Sequence, residues 1–109
     1  MGLPITITPD PGRWRVRLGD LVLGETAGAV NLVEAGRSPV LYVPRADMDM
    51  GLFTPTERVT TCPWKGRASY FSVGGVANVV WCYQHPLATA SGIAGYLAFY
   101  PEVTVERVV

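Results

Sequence analysis

RASYFSV (67–73), GGV (74–76) and ANVVWCY (77–83) decide the fold. Two runs rich in β-branched and aromatic residues meet at adjacent glycines, which supply the backbone freedom that a tight hairpin turn needs. A two-residue or a four-residue loop around Gly74 and Gly75 gives the same division of faces, and only a three-residue loop inverts it. Tyr70, Trp81 and Tyr83 then share one face, while Phe71, Val80 and Cys82 share the other. The first face is aromatic and polar. It either packs as core or walls a concavity suited to a small planar ligand.

The same punctuation continues on both sides, with nine prolines and twelve glycines separating short apolar runs. N-terminal to the hairpin, ITI (5–7), WRVRL (14–18), LVLG (21–24), AVNLVEAG (29–36) and PVLYVP (39–44) read as a meander of strands. WRVRL alternates strictly, placing Trp14, Val16 and Leu18 on one face and Arg15 and Arg17 on the wet one. RADMDM (45–50) predicts a one-turn excursion. Thr54 and Pro55 predict a turn before a short strand near 57–60. C-terminal to the hairpin, Leu87, Ala90, Ile93, Ala94 and Leu97 have near-helical spacing, although Gly92 and Gly95 each weaken a helix by up to about 1 kcal/mol. A short helix is expected there, then strands near 97–100 and 104–108. The chain reads as mostly β, a single domain over 1–109.

Composition narrows the function. Nine basic and nine acidic residues cancel, which removes the positive field used by nucleic-acid binders, so no nucleic-acid partner is expected. No stretch approaches the roughly 18 apolar residues of a membrane helix, and the opening MGLPITITPDPG lacks the features of a secretory signal. A cytoplasmic protein with no membrane partner is expected. Cys62 and Cys82 are the two cysteines, too few for a disulfide scaffold, so reduced thiols are the default.

The residues that suggest chemistry cluster in TCPWKG (61–66). Lys65 is the single lysine, three residues after Cys62. An ammonium near a thiol favours thiolate, making Cys62 a candidate nucleophile activated by Lys65; alternatively Lys65 pairs with an anionic ligand, or both residues simply pack in a tight turn. Cys82 and His85 have metal-ligand spacing, but with Cys62 the set stops at three, so no metal is expected. One histidine and no G-x-S-x-G turn leave hydrolase chemistry unsupported. Asp47 and Asp49 in DMDM have the alternation that presents two carboxylates to a divalent cation from one face of a strand, as in metal-dependent nucleotidyl transfer; the alternative is a solvated turn capped by Asp47.

Taken in order, VLYVPRADMDM, TCPWKGRASYFSV, NVVWCY, HPL and IAGYLAFYPEVTV resemble the bacterial domain of unknown function family 427, from about Trp14 to Val105. The resemblance implies a small β-tent-like fold of two antiparallel sheets meeting at an angle, in a version without the four zinc-binding cysteines of other β-tent proteins. The family also carries a nucleotidyltransferase-like label. The matching positions are Tyr42, Pro44, Arg45, Cys62, Lys65, Tyr70, Trp81 and Tyr83, while Cys82 departs from the small hydroxyl residue more usual there.

These readings combine into a small-molecule-binding module with a pocket between two sheets that accepts a small anionic or aromatic molecule. Its expected walls are Tyr42, Tyr70, Trp81 and Tyr83, with Lys65 and Arg45 at the polar edge and no cofactor. The alternatives are an enzyme, through Cys62 and Lys65 or through Asp47 and Asp49, and a purely structural domain.

Overall fold

The computed structural model describes residues 4–109. Its centre is the predicted hairpin. Strand β7 (Gly66–Val73) turns through Gly74 and Gly75, at φ 57° and 81°, into β8 (Val76–Cys82). Val73 opposes Val76, so the loop has two residues, and Tyr70 opposes Trp81 while Phe71 opposes Val80. The expected division of faces therefore holds. Between these pairs β8 bulges at Asn78, the one non-glycine residue with positive φ among those described. Its N–H donates to Ser72 Oγ at 3.1 Å, and its side chain accepts the Thr56 hydroxyl at 2.6 Å.

The remaining strands are β1 (Ile5–Pro9), β2 (Arg13–Leu18), β3 (Leu21–Thr26), β4 (Val30–Glu34), β5 (Val40–Tyr42), β6 (Phe53–Cys62), β9 (Leu97–Phe99) and β10 (Thr104–Val108). Among the described residues all pairings are antiparallel, in three sheets of order β1-β4-β5, β10-β2-β3 and β6-β7-β8-β9. The expectation of two sheets is corrected to three. The N-terminal strands do not form one meander, because β1 turns away to pair with β4 while the last strand, β10, takes the place beside β2. A single bridge from Val43, next to β5, to Leu97 of β9 joins two of the sheets, and another ties Gly24 of β3 to Met48 between the 3-10 turns.

Two local expectations also change. Pro55 lies inside β6 and makes no turn. A proline lacks the N–H of a ladder bond, and β6 tolerates it because it is an edge strand whose register shifts between Pro55 and Val59. The predicted helix is a pair of 3-10 turns over Ala88–Ile93, broken at Ala90. These turns press against β1 at Gly92, where a Cβ would lie 3.2 Å from Ile7 Cδ1. Further single turns occupy Arg45–Asp47 and Met50–Leu52. Among the described residues, no helix is long and apolar enough to cross a membrane.

Both faces of the β7–β8 hairpin are covered. Phe71, Val80 and Cys82 join Val16 and Leu23 of the β10-β2-β3 sheet in one core. Ala68, Tyr70 and Tyr83 join Leu32, Tyr42 and Ile93 in a second, beneath the β1-β4-β5 sheet. Alternation along two strands thus feeds two cores at once. The outer sheets are tied by Asp10, whose carboxylate accepts from Gly12 N–H (2.7 Å), Trp14 Nε1 (2.8 Å) and Asn31 Nδ2 (2.8 Å).

Candidate functional site

The aromatic face of the hairpin does not fill the space beneath β4 and β5. A cavity of about 240 Å³ remains between the sheets, bounded by Glu34, Tyr42, Lys65, Tyr70, Trp81 and Tyr83. Arg37, Ser38 and Tyr100, all exposed, lie along its open side.

Lys65 reaches the cavity because the TCPWKG turn is fastened to the segment after β8. The Lys65 carbonyl accepts Leu87 N–H at 2.9 Å, and the Trp64 carbonyl accepts the Thr89 hydroxyl at 2.8 Å. Gly66 follows at φ 105°, a conformation that other residues rarely adopt. So held, the Lys65 ammonium donates to Glu34 Oε1 and lies 5.9 Å from the centre of the Tyr83 ring. Their side chains are only 13% and 8% exposed, which makes this a buried ion pair.

The aromatic walls are fixed in different ways. Trp81 Nε1 donates to the Tyr42 hydroxyl at 3.2 Å, the rings meeting edge to face, and burial pushes the Tyr42 phenol up to about 12. The Tyr70 hydroxyl shares a 2.8 Å hydrogen bond with Thr60, with the Arg58 guanidinium 4.9 Å from its ring centre. Burial raises the Tyr70 phenol, but hydrogen bonds from Thr60, Tyr100 and Arg58 outweigh it and leave it lowered. Tyr100 is raised, first by its hydrogen bond to Tyr70 and then by burial. Its ring lies 4.8 Å from that of Trp81.

Tyr83 differs. It is 6% exposed, and burial raises its phenol strongly, with no hydrogen bond to offset the effect. Every fully enclosed side-chain nitrogen or oxygen among the described residues has a partner. The Tyr83 hydroxyl, which has none among the described residues, is therefore not fully enclosed, and Tyr83 lines the cavity.

All the expected pocket residues line this space except Arg45. The Arg45–Asp47 turn carries Arg45 to the opposite face of the hairpin, where its guanidinium lies 5.3 Å from the Phe71 ring centre and Nη2 contacts Cys82 Sγ at 3.4 Å. Cys82 is buried, and that burial raises its thiol. Cys62 is half-buried, packs against the second core and is free, as is Cys82. The ammonium of Lys65 is committed to Glu34 rather than to this thiol.

DMDM is not a strand. Its two turns engage the carboxylates separately: Asp47 Oδ2 accepts the Thr26 hydroxyl at 2.7 Å, while Asp49 caps Met50–Leu52 by accepting Gly51 N–H at 3.1 Å. The cap is Asp49, not Asp47. Neither lines the cavity. Among the described residues, no three His, Cys, Asp or Glu side chains converge on a metal-sized space. His85 borders a separate recess of about 200 Å³ beside Val59 and Arg67.

Sequence reasoning missed Glu34 and Tyr100. The signal for Glu34 was present: in VNLVE, period-two alternation puts it on the face of Leu32, so an acid at a core position required a partner.

No curated protein matches the sequence. The family model labelled NTP_transf_9 matches residues 6–109, and the chain belongs to the family it describes, Domain of unknown function (DUF427).

Proposed function

We propose that the domain binds a small molecule in the cavity between β4–β5 and β7–β8. The observation that carries this reading is Tyr83, a buried residue of the cavity wall whose hydroxyl is not fully enclosed and has no partner among the described residues, beside a space already bounded by aromatic rings. A ligand that covered this hydroxyl without offering an acceptor would lose about 1–3 kcal/mol. A ligand acceptor oxygen would supply the missing hydrogen bond, and Trp81 would offer a flat surface beside it.

Size narrows the ligand. The cavity falls below the 300–1,000 Å³ typical of sites for drug-sized molecules, which favours a single ring with its substituents over a nucleoside triphosphate. The separate engagement of Asp47 and Asp49 also favours binding over metal-dependent nucleotidyl transfer.

The test is a thermal-shift screen of nucleobases, nucleosides, and small aromatic acids and amides, repeated on Tyr83→Phe. A shift in the parent protein that shrinks in the variant supports the reading. A flat screen, or hits indifferent to Tyr83, would overturn it.

A further inference from the structure

The cavity has a neighbour. On the far side of Trp81 and Tyr100 runs a larger, more open groove of about 420 Å³, with Leu41, Phe99, Pro101, Val103 and Val105 along it. Val40, Trp81 and Tyr100 border both spaces, so the two adjoin along these three residues. Tyr100 is itself 37% exposed. The residues added by the groove are apolar, whereas the cavity carries the polar groups.

Charge is already settled within the cavity. The Lys65 ammonium is paired with Glu34, so an anion entering would meet no uncompensated buried cation and would face the Glu34 carboxylate. Arg37 sits on the open side in solvent, where its field is screened. The donor on offer is the Tyr83 phenol, which burial keeps protonated. A neutral carbonyl oxygen suits that donor without bringing an extra charge into low dielectric.

Resting on the pocket reading, we infer that the ligand is a neutral amphiphile: a carbonyl-bearing aromatic head in the cavity beside Tyr83, and an apolar tail that crosses the Trp81–Tyr100 wall into the groove. Tail affinity follows from burial of apolar surface, at about a fourfold gain per methylene enclosed.

The experiment uses para-alkylbenzamides, from benzamide to the butyl compound, against the matching benzoates, with calorimetric titration of the full chain. Amides are expected to bind at least about tenfold more tightly than their acids, with affinity climbing about fourfold per methylene. Val105→Thr, nearly isosteric, and Leu41→Asn as a second groove variant should both flatten that climb. Benzoates binding as tightly as the amides overturn the neutral head. Affinity independent of chain length overturns the tail, and leaves the pocket standing if benzamide binds and loses affinity in Tyr83→Phe. Binding by another class of compound, with none by this series, overturns the amphiphile while the pocket survives. No binding by any compound removes both.

Discussion

Lys65 and Glu34, separated by 31 positions in the chain, meet as a buried ion pair that joins the TCPWKG turn to the end of β4. The contact fastens the outer β1-β4-β5 sheet to the central one at the edge of the cavity. It also explains the single lysine of the sequence without invoking a thiolate: the ammonium answers a carboxylate that alternation had placed at a core position.

Removing one partner strands the other charge in low dielectric. Lys65→Met or Glu34→Leu alone should each cost about 3–5 kcal/mol in denaturant unfolding, while the double variant returns to within about 1 kcal/mol of the parent. Additive losses in that cycle would show that the two side chains do not act as a pair. A ligand screen on Lys65→Ala is confounded by the same instability, which makes Tyr83→Phe the cleaner probe.

The thiols should separate by access. Cys82 lies at 0% exposure and its thiol is raised, chiefly by burial, whereas Cys62 is half-buried. Iodoacetamide on the native protein is expected to label Cys62 first, with Cys82 reacting only after denaturation. Mass spectrometry of the digested product reads the order, and native labelling of Cys82 would contradict its placement.

How much of this was legible beforehand follows from the range of each interaction. The faces of β7 and β8 were readable because alternation survives either even loop length. Sheet membership was not, because the Arg17–Glu106 contact spans 89 positions and no local pattern says that β10 pairs with β2. Pro55 reads locally as a turn, and only the edge position of β6 makes it acceptable in a strand. Arg45 was expected at the polar edge of the pocket, and no local pattern reveals which side of the hairpin its turn faces. The 3-10 turn that starts at Arg45 carries the guanidinium onto Phe71, where a cation–π contact holds it.

Asp10 contributes to the acid limb of stability. Its carboxyl is lowered, first by the Trp14 hydrogen bond, with burial opposing and Asn31, Gly12 and Arg107 assisting. A depressed carboxyl contributes stability that is present above the ordinary value of 3.8 and lost as pH falls through the lower folded value. Asp10→Ala should therefore lower stability at neutral pH and flatten its decline below about pH 4. Melting temperatures across pH 2–7 test this, and parallel curves for the two proteins would refute it.

The alkaline limb belongs to the buried phenols. Tyr42 is raised from 10.0 to about 12 by burial, and Tyr83 is raised in the same direction by the same cause. A raised folded value means stability that is complete below about pH 10 and lost as pH climbs towards 12. Tyr70, lowered by its partners, should ionise first. Phenolate absorbance should show an early Tyr70 step, absent in Tyr70→Phe, followed by a cooperative late step that coincides with unfolding. Smooth, independent titration of all the tyrosines would contradict the buried wall.

Tyr83→Phe separates stability from function. In the free protein the hydroxyl is not fully enclosed and has no partner among the described residues, so the substitution deletes no protein hydrogen bond and should leave stability within about 1 kcal/mol of the parent. In the complex the same change deletes the donor offered to the ligand and should weaken binding by about tenfold, the worth of one neutral hydrogen bond. A merely structural Tyr83 predicts the reverse pattern, with lost stability and unchanged affinity. Chemical denaturation and calorimetric titration on one preparation distinguish the two, because a packing residue moves the first measurement and a binding residue the second.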